Sequence, residues 1–359
     1  MNRIKVLHQV LDPSGAGGVS AEFRALKNST LSDKYDFHSM ILVDFKPGLS
    51  IHNIRFYYNN IKQVNPDIVH IRGAAIDSLN AIIAARIAGH CKVLTTVHGL
   101  YSDMVYYNPI KKWISKHVVE NLIFGLSHGI SCVCKNATDR SYFDRFRKKM
   151  LPFVYNRIPS YDLTQRGIYR EEIRREYNIS DDDIICLFVG RMTKEKGLVT
   201  MERMFEKYNG FPSKLVFLFV GDGDYKNEFE SKCAGFNSRT VFAGLRNDVH
   251  RFYMAADLFL QPSLHENHSI ALLEACAAGI PSIATDCGGN NETIKNDSTG
   301  IIVPVDDEDA IYSAINEMLK PEILLKFTRN VISNNYVQFS DAECDRSLDE
   351  VYMTILHER

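Results

Sequence analysis

Two glutamates, Glu266 and Glu274, stand eight residues apart, the first in a loop and the second on the helix predicted to follow it. That separation is just over two helical turns, about 12 Å, so each carboxylate can accept hydrogen bonds from a different hydroxyl of one extended ligand. Between them lie Asn267, His268, Ser269 and Ile270. Amides at this helix start are oriented to hold an anion. Glu274 interrupts an otherwise apolar run, and a carboxylate in such surroundings needs a partner. A cationic pair, Arg191 and Lys196, follows Gly190 at the end of the apolar strand predicted over 184–189. Arginine offers a planar, bidentate fork and lysine a point charge, a combination that suits a diphosphate. Lys194, between them, is less suited to face a ligand.

Other stretches leave alternatives open. Gly15-Ala16-Gly17-Gly18-Val19-Ser20 follows the first strand and precedes a helix. Glycine there lets the backbone approach a phosphate. As a dinucleotide fingerprint the stretch is flawed, because Ser20 stands where the third glycine belongs, although Asp44 after the second strand imitates the ribose-binding acid. A plain tight turn explains it equally well. Gly221-Asp222-Gly223-Asp224 reads either as a metal-binding Asp-x-Asp or as a tight turn with Asp224 capping the next helix. His98 ends the apolar strand Lys92–Val97, where structural histidines outnumber functional ones. His70, inside a strand, is expected in the core or bonded to backbone. Cys132 and Cys134 read as buried strand cysteines.

These residues need strand ends to hold them. Apolar runs at 4–10, 37–43, 68–71 and 92–97 alternate with helical spacing such as 77–88, which predicts βαβ units around a parallel sheet. The rhythm breaks near residues 157–170, the expected linker, and restarts with strands at 184–189, 215–220, 240–242, 258–261, 282–284 and 300–303. Helices are predicted between them, and a last one over 341–357. In doubly wound sheets, ligands bind beyond the carboxyl ends of the strands, where these residues fall.

The chain has 359 residues, enough for two domains. At 45% hydrophobic and 24% charged it is neither disordered nor fibrous. The net charge of −2 conceals a division: residues 1–162 carry 21 Lys and Arg against 12 Asp and Glu, and residues 163–359 carry 21 against 32. A basic first half points to an anionic partner or surface. Eight scattered cysteines and no apparent secretory leader favour a reducing, cytoplasmic setting. No run approaches the roughly 18 apolar residues of a membrane span.

Taken together, the motifs resemble the retaining glycosyltransferases of the GT-B fold, specifically family 4. The resemblance covers most of the chain: Gly17-Gly18, Pro66-Asp67-Ile68-Val69-His70, Val97-His98-Gly99, Phe188-Val189-Gly190-Arg191 with Lys196-Gly197, Val220-Gly221-Asp222-Gly223, Phe242-Ala243-Gly244, the Glu266 to Glu274 element, Gly279-Ile280-Pro281, and Gly288-Gly289 through Glu292. Each piece is weak, but their order and spacing together are specific. The resemblance implies two Rossmann-like domains, 1–162 for the acceptor and 163–338 for the donor, with 339–359 returning to the first. A nucleotide sugar, UDP- or GDP-linked, would lie in the cleft. It also implies roles. Arg191 and Lys196 would neutralise the diphosphate, Glu274 hold the ribose and Glu266 contact the transferred sugar. Backbone near Asn267, His268, Ser269 and Ile270 would hold sugar and phosphate, and backbone near Leu245 and Arg246 the base. Gly17 and Gly18, with Gly190 and Gly221, would approach the donor, and His98 would lie near the reacting sugar. The family needs neither cofactor nor metal, which leaves Asp222 and Asp224 to the turn.

Where many relatives carry Gly-Phe after the first glutamate, this chain carries Asn267-His268, a change in the pocket around the sugar. Lys111, Lys112, Trp113, Lys116 and His117, with Arg140, Arg145, Arg147, Lys148 and Lys149, would suit an anionic membrane surface. The expected acceptor is a glycan, often lipid-linked, in bacterial surface polysaccharide synthesis at the inner membrane face, with no nucleic acid involved. Rival readings are an NAD-dependent oxidoreductase using Gly15–Ser20 and a nucleotide-sugar epimerase.

Overall fold

A computed structural model describes residues 3–10, 18–208 and 210–357, with backbone alone for 18–21. The chain forms two compact units: one ends at Arg157 and resumes at Val337, and the other runs from Ile158 to Tyr336. No helix among the described residues is long and apolar enough to cross a membrane.

The first unit is built on five parallel strands, β1 (Ile4–Gln9), β2 (Tyr35–Met40), β3 (Ile68–Arg72), β4 (Lys92–Val97) and β5 (Gly129–Cys132), in the order β2-β1-β3-β4-β5. Successive side chains alternate between the two faces of the sheet. Leu7, Val69 and Val93 accordingly pack with Tyr57 and Phe124 in one core. Val6, Ile68 and Leu94 pack in the other with Tyr35, Phe37, Val351, Tyr352 and Ile355. The helix Asp341–His357 therefore belongs to the first unit and covers one face of its sheet.

The second unit holds six parallel strands, β6 (Ile184–Val189), β7 (Leu215–Val220), β8 (Arg239–Gly244), β9 (Leu258–Gln261), β10 (Ser282–Thr285) and β11 (Gly300–Val303), in the order β11-β10-β9-β6-β7-β8. Every residue of β7, Leu-Val-Phe-Leu-Phe-Val, is buried, as a strand covered by helices on both faces must be. Chain order reverses between β6 and β9, so the loops leaving these two neighbours flank the topological switch point. Gly190 through Lys196 leave β6, and Pro262 through Glu266 leave β9.

Several elements differ from the sequence pattern. The second strand lies at 35–40 rather than 37–43, because Tyr35 is drawn into the core while Val43 is exposed. Asp224 does not cap the following helix. That helix starts at Lys226 with Tyr225 in the cap position and no side-chain cap bond, while Asp222 Oδ1 accepts from Gly223 N at 2.9 Å. A helix at Pro321–Ser333, absent from the expected elements, adds Phe327 and Val331 to the buried residues. None of the eight cysteines forms a disulfide, and Cys132 and Cys134 are buried.

Candidate functional site

The second unit gathers the acid and the base that the sequence places 70 residues apart. Lys196 ends a short 3-10 turn, Lys194–Lys196, and donates to Glu266 Oε1 at 2.5 Å. The same oxygen accepts from Ser263 Oγ at 2.8 Å and from Gln261 Nε2 at 3.1 Å. Arg191 is exposed, its carbonyl accepts from Thr193 N at 2.9 Å, and its side chain makes no hydrogen bond or ion pair among the described residues, so its guanidinium is available to a ligand. Gly190 N donates to Val220 O, and Gly221 N to Gly244 O, at 3.0 and 2.8 Å. A Cβ on Gly221 would collide with the Gly190 carbonyl, which is why glycine is required where these two strand ends meet.

Beyond Glu266 the chain turns into the helix Ile270–Ala277. Ser269 is its N-cap and accepts from Leu272 N at 3.3 Å. Asn267 O accepts from Gly289 N at 2.5 Å, which pins the loop to the Gly288-Gly289 turn. His268 is buried, its Nε2 3.3 Å from Thr293 Oγ1, and burial lowers its pKa to about 3. It is therefore a neutral imidazole that carries no charge near neutral pH. Ile270 is partly exposed at the helix start.

Glu274 sits on the second turn of that helix. Burial pushes its carboxyl up to about 7. Tyr253 is fully buried, and its hydroxyl, near enough to oppose part of that shift, has no hydrogen-bond partner of ordinary geometry. Tyr161 also faces Glu274, and its hydroxyl is pushed up by burial and by that carboxylate. Leu245 is exposed, whereas Arg246 forks onto Asp248 with two 2.9 Å bonds and reaches Glu176 at 3.2 Å.

In the first unit, Gly17 lies outside the described residues, and Gly18 opens the helix Gly18–Lys27. Glu22 on that helix pairs with Arg72 at the end of β3. Burial would raise the Glu22 carboxyl, but Arg72, His98 and Arg157 hold it below its usual range. His98 itself is lowered to about 4, because burial outweighs the pull of Glu22. His70 bonds to side chains and not to backbone: Tyr352 Oη at 2.9 Å and Thr96 Oγ1 at 2.7 Å. Of the two basic groups, the later one is partly paired within its own unit. Lys149 donates to the Gly125 and Ser127 carbonyls, Arg140 pairs with Asp103, and Arg147 with Asp144.

Gln261, Ser263, Tyr253 and the Glu22–Arg72 pair escaped the sequence reading. Gln261 did leave a signal, as the polar last residue of the otherwise apolar Leu258-Phe259-Leu260. Among the described residues no three His, Cys, Asp or Glu side chains gather as a metal site would require.

Residues 169–338 match the family model for glycosyl transferases group 1, and residues 21–156 the model for glycosyltransferase family 4. The chain is 27% identical, over 78% of its length and 74% of the relative's, to the UDP-Gal:alpha-D-GlcNAc-diphosphoundecaprenol alpha-1,3-galactosyltransferase of Escherichia coli. It is 26% identical, over 82% of its length and 76% of the relative's, to N-acetyl-alpha-D-glucosaminyl L-malate synthase of Bacillus anthracis. Among solved structures it resembles Anabaena HepE in complex with UDP and glucose, with a TM-score of 0.78 at 14% identity over 98% of this chain and 100% of that one.

Proposed function

This chain belongs to the glycosyltransferases of family 4, group 1, with the GT-B fold, and from that premise we propose that it moves a sugar from a UDP- or GDP-linked donor to a lipid-linked glycan with retained anomeric configuration. The relatives just described give the oxidoreductase and epimerase readings no support. One observation carries the donor assignment: the unpaired Arg191 and the Lys196–Glu266 pair lie on the two loops that flank the switch point of the second sheet.

A departing nucleoside diphosphate gains negative charge as the sugar–phosphate bond breaks. Cations fixed in advance stabilise that charge without reorganising. Arg191 and Lys196 fill this role, and the amides opening the helix Ile270–Ala277 add to it. Glu274 accepts from the ribose and Glu266 from the transferred sugar. On binding, Lys196 is shared between Glu266 and the diphosphate, which keeps the carboxylate compensated throughout. Attack by the acceptor hydroxyl from the face the leaving group vacates gives retention. His98, neutral through burial, is assigned to the reacting sugar.

The comparison with a diphosphoundecaprenol-linked substrate in the Escherichia coli relative supports a lipid-linked acceptor. After β4 the first unit exposes Tyr106, Ile110, Trp113, Ile114, Val118 and Leu122 beside Lys111, Lys112 and Lys116. Apolar side chains amid lysines favour an anionic bilayer surface at the cytoplasmic face. The π-helical turn Ser115–Val119 lies within this stretch.

Thermal shift against UDP-glucose, UDP-galactose, UDP-N-acetylglucosamine, GDP-mannose and NADH tests the donor class. A sugar nucleotide raises the melting temperature, and its transfer or hydrolysis follows. Stabilisation by NADH with none from any sugar nucleotide overturns the reading. Vesicles containing anionic lipid carry the protein upward in flotation, and failure to recover it there refutes the membrane assignment.

A further inference from the structure

The Glu266 carboxylate is held from one side. Oε1 accepts three hydrogen bonds, from Lys196, Ser263 and Gln261. Oε2 accepts none among the described residues. A carboxylate oxygen saturated in this way has little capacity left for a ligand, so Oε2 is the atom presented to one.

Gln261 is 4% exposed, and an amide buried to that degree must have its donor and acceptor ends matched. Its Oε1 accepts from Ser269 Oγ at 2.8 Å, while its Nε2 donates to Glu266 Oε1 at 3.1 Å. The bonding fixes which end is which. Ser269 Oγ has a single hydrogen, its oxygen already accepts from Leu272 N, and a carboxylate can only accept. The result is a directed chain: the backbone N–H of Leu272, the Ser269 hydroxyl, the Gln261 amide, Glu266 Oε1. One end is the N-cap of the helix Ile270–Ala277, and the other is the acid assigned to the sugar.

We propose that Gln261 is a positioning residue, which turns Glu266 so that Oε2 meets a sugar hydroxyl and ties that orientation to the helix start holding the donor phosphate. This rests on the donor reading above. A merely structural role for Gln261 would affect the whole second unit, whereas positioning acts on the sugar and spares the nucleotide.

The experiment compares affinities by calorimetry for two ligands: the sugar nucleotide that stabilises the protein best, and its free nucleoside diphosphate. Their ratio, taken relative to wild type at the same pH so that titration of the free diphosphate's terminal phosphate cancels, isolates the contribution of the sugar. Glu274 titrates near neutrality but is assigned to the ribose, which both ligands carry, so its effect cancels. Of the titratable neighbours of Glu266, the Cys287 thiol is pushed up by burial to about 11 and stays neutral over the range used.

In Gln261→Met, of similar length but without an amide, the ratio falls about fivefold or more while the diphosphate affinity stays within about twofold of wild type. In Gln261→Glu the acceptor for Ser269 remains, but a second carboxylate oxygen now faces Glu266. The ratio is then lowest near pH 8 and recovers toward about pH 6, as a proton shared between the two carboxyls replaces the lost N–H. An unchanged ratio in Gln261→Met, or a parallel loss of both affinities, overturns the proposal. Should that variant fail to fold, a ratio in Gln261→Glu that does not vary with pH overturns it. Wild-type protein that binds no sugar nucleotide, or binds it no better than the diphosphate, overturns the donor reading and this proposal with it.

Discussion

Burial holds the Glu274 carboxyl at about 7, so near neutral pH a proton occupies it in about half of the molecules. In the unfolded chain the same group releases its proton near its model value of 4.5. Between these values the folded state binds more protons than the unfolded one, and its stability falls as pH rises across that window. Glu274→Gln removes this slope and melts higher than wild type above about pH 7. Calorimetry across the window checks it, and a slope retained in the variant contradicts the assignment. Lys196→Ala removes a cation from the departing diphosphate and lowers transfer by about 100-fold or more, and it lowers the melting temperature as well because the largely buried Glu266 loses its charged partner. Steady-state assays with saturating donor measure the loss, and transfer within about threefold of wild type would contradict the role. Arg191, Lys196, Glu266 and Glu274 were legible in the sequence because type and local spacing carry their chemistry. Tyr253, Gln261 and the Glu22–Arg72 pair were not, since their meaning lies in contacts made only after the strands assemble.

The turn Lys194–Lys196 reaches Glu266 because the residue that follows it, Gly197, takes a φ of +76° and packs on the Pro262 backbone. A Cβ there would strike the Pro262 carbonyl, in a conformation that also disfavours L side chains. Gly197→Ala therefore separates the two loops of the site and costs more than about 2 kcal/mol of stability. Gly167→Ala, at a position with open space around its Cβ, is the neutral comparison. Urea unfolding of both variants checks the difference. Buried strands were the most readable elements, since Leu215–Val220 is apolar throughout. The register of β2 was harder to see. It is set partly by Tyr35, whose hydroxyl donates to Asp349 Oδ1 at 2.5 Å, 314 residues away, and no local pattern encodes that bond. The helix Pro321–Ser333 was blurred because Leu325 and Ile332 point to solvent beside the buried Phe327 and Val331, which widens its apolar stripe.

The two units respond differently to acid. In the first, burial lowers His8, His70, His98 and His128, the last two to about 4. Each stays neutral in the fold but gains a proton in the unfolded chain below its model value of 6.5, so each subtracts stability as pH falls from there. Asp77, raised by burial, offsets part of that loss. In the second unit His268, lowered to about 3, acts in the same direction, and Glu274 opposes it. On acidification from about pH 6.5 to 5, the first unit loses stability faster than the second. Calorimetry then resolves two transitions that draw apart, and transitions that move together would contradict it. The His8 and His70 imidazoles meet at the Tyr352 hydroxyl, at 3.2 and 2.9 Å, on a helix that follows the whole second unit in the chain. On the ribosome the second unit is thus fully synthesised before the first can be closed. The emerging first sheet must wait with one face only partly covered, by Phe23, Leu26 and Leu31, through the translation of residues 158–336, a window in which the protein's own last helix cannot shield it.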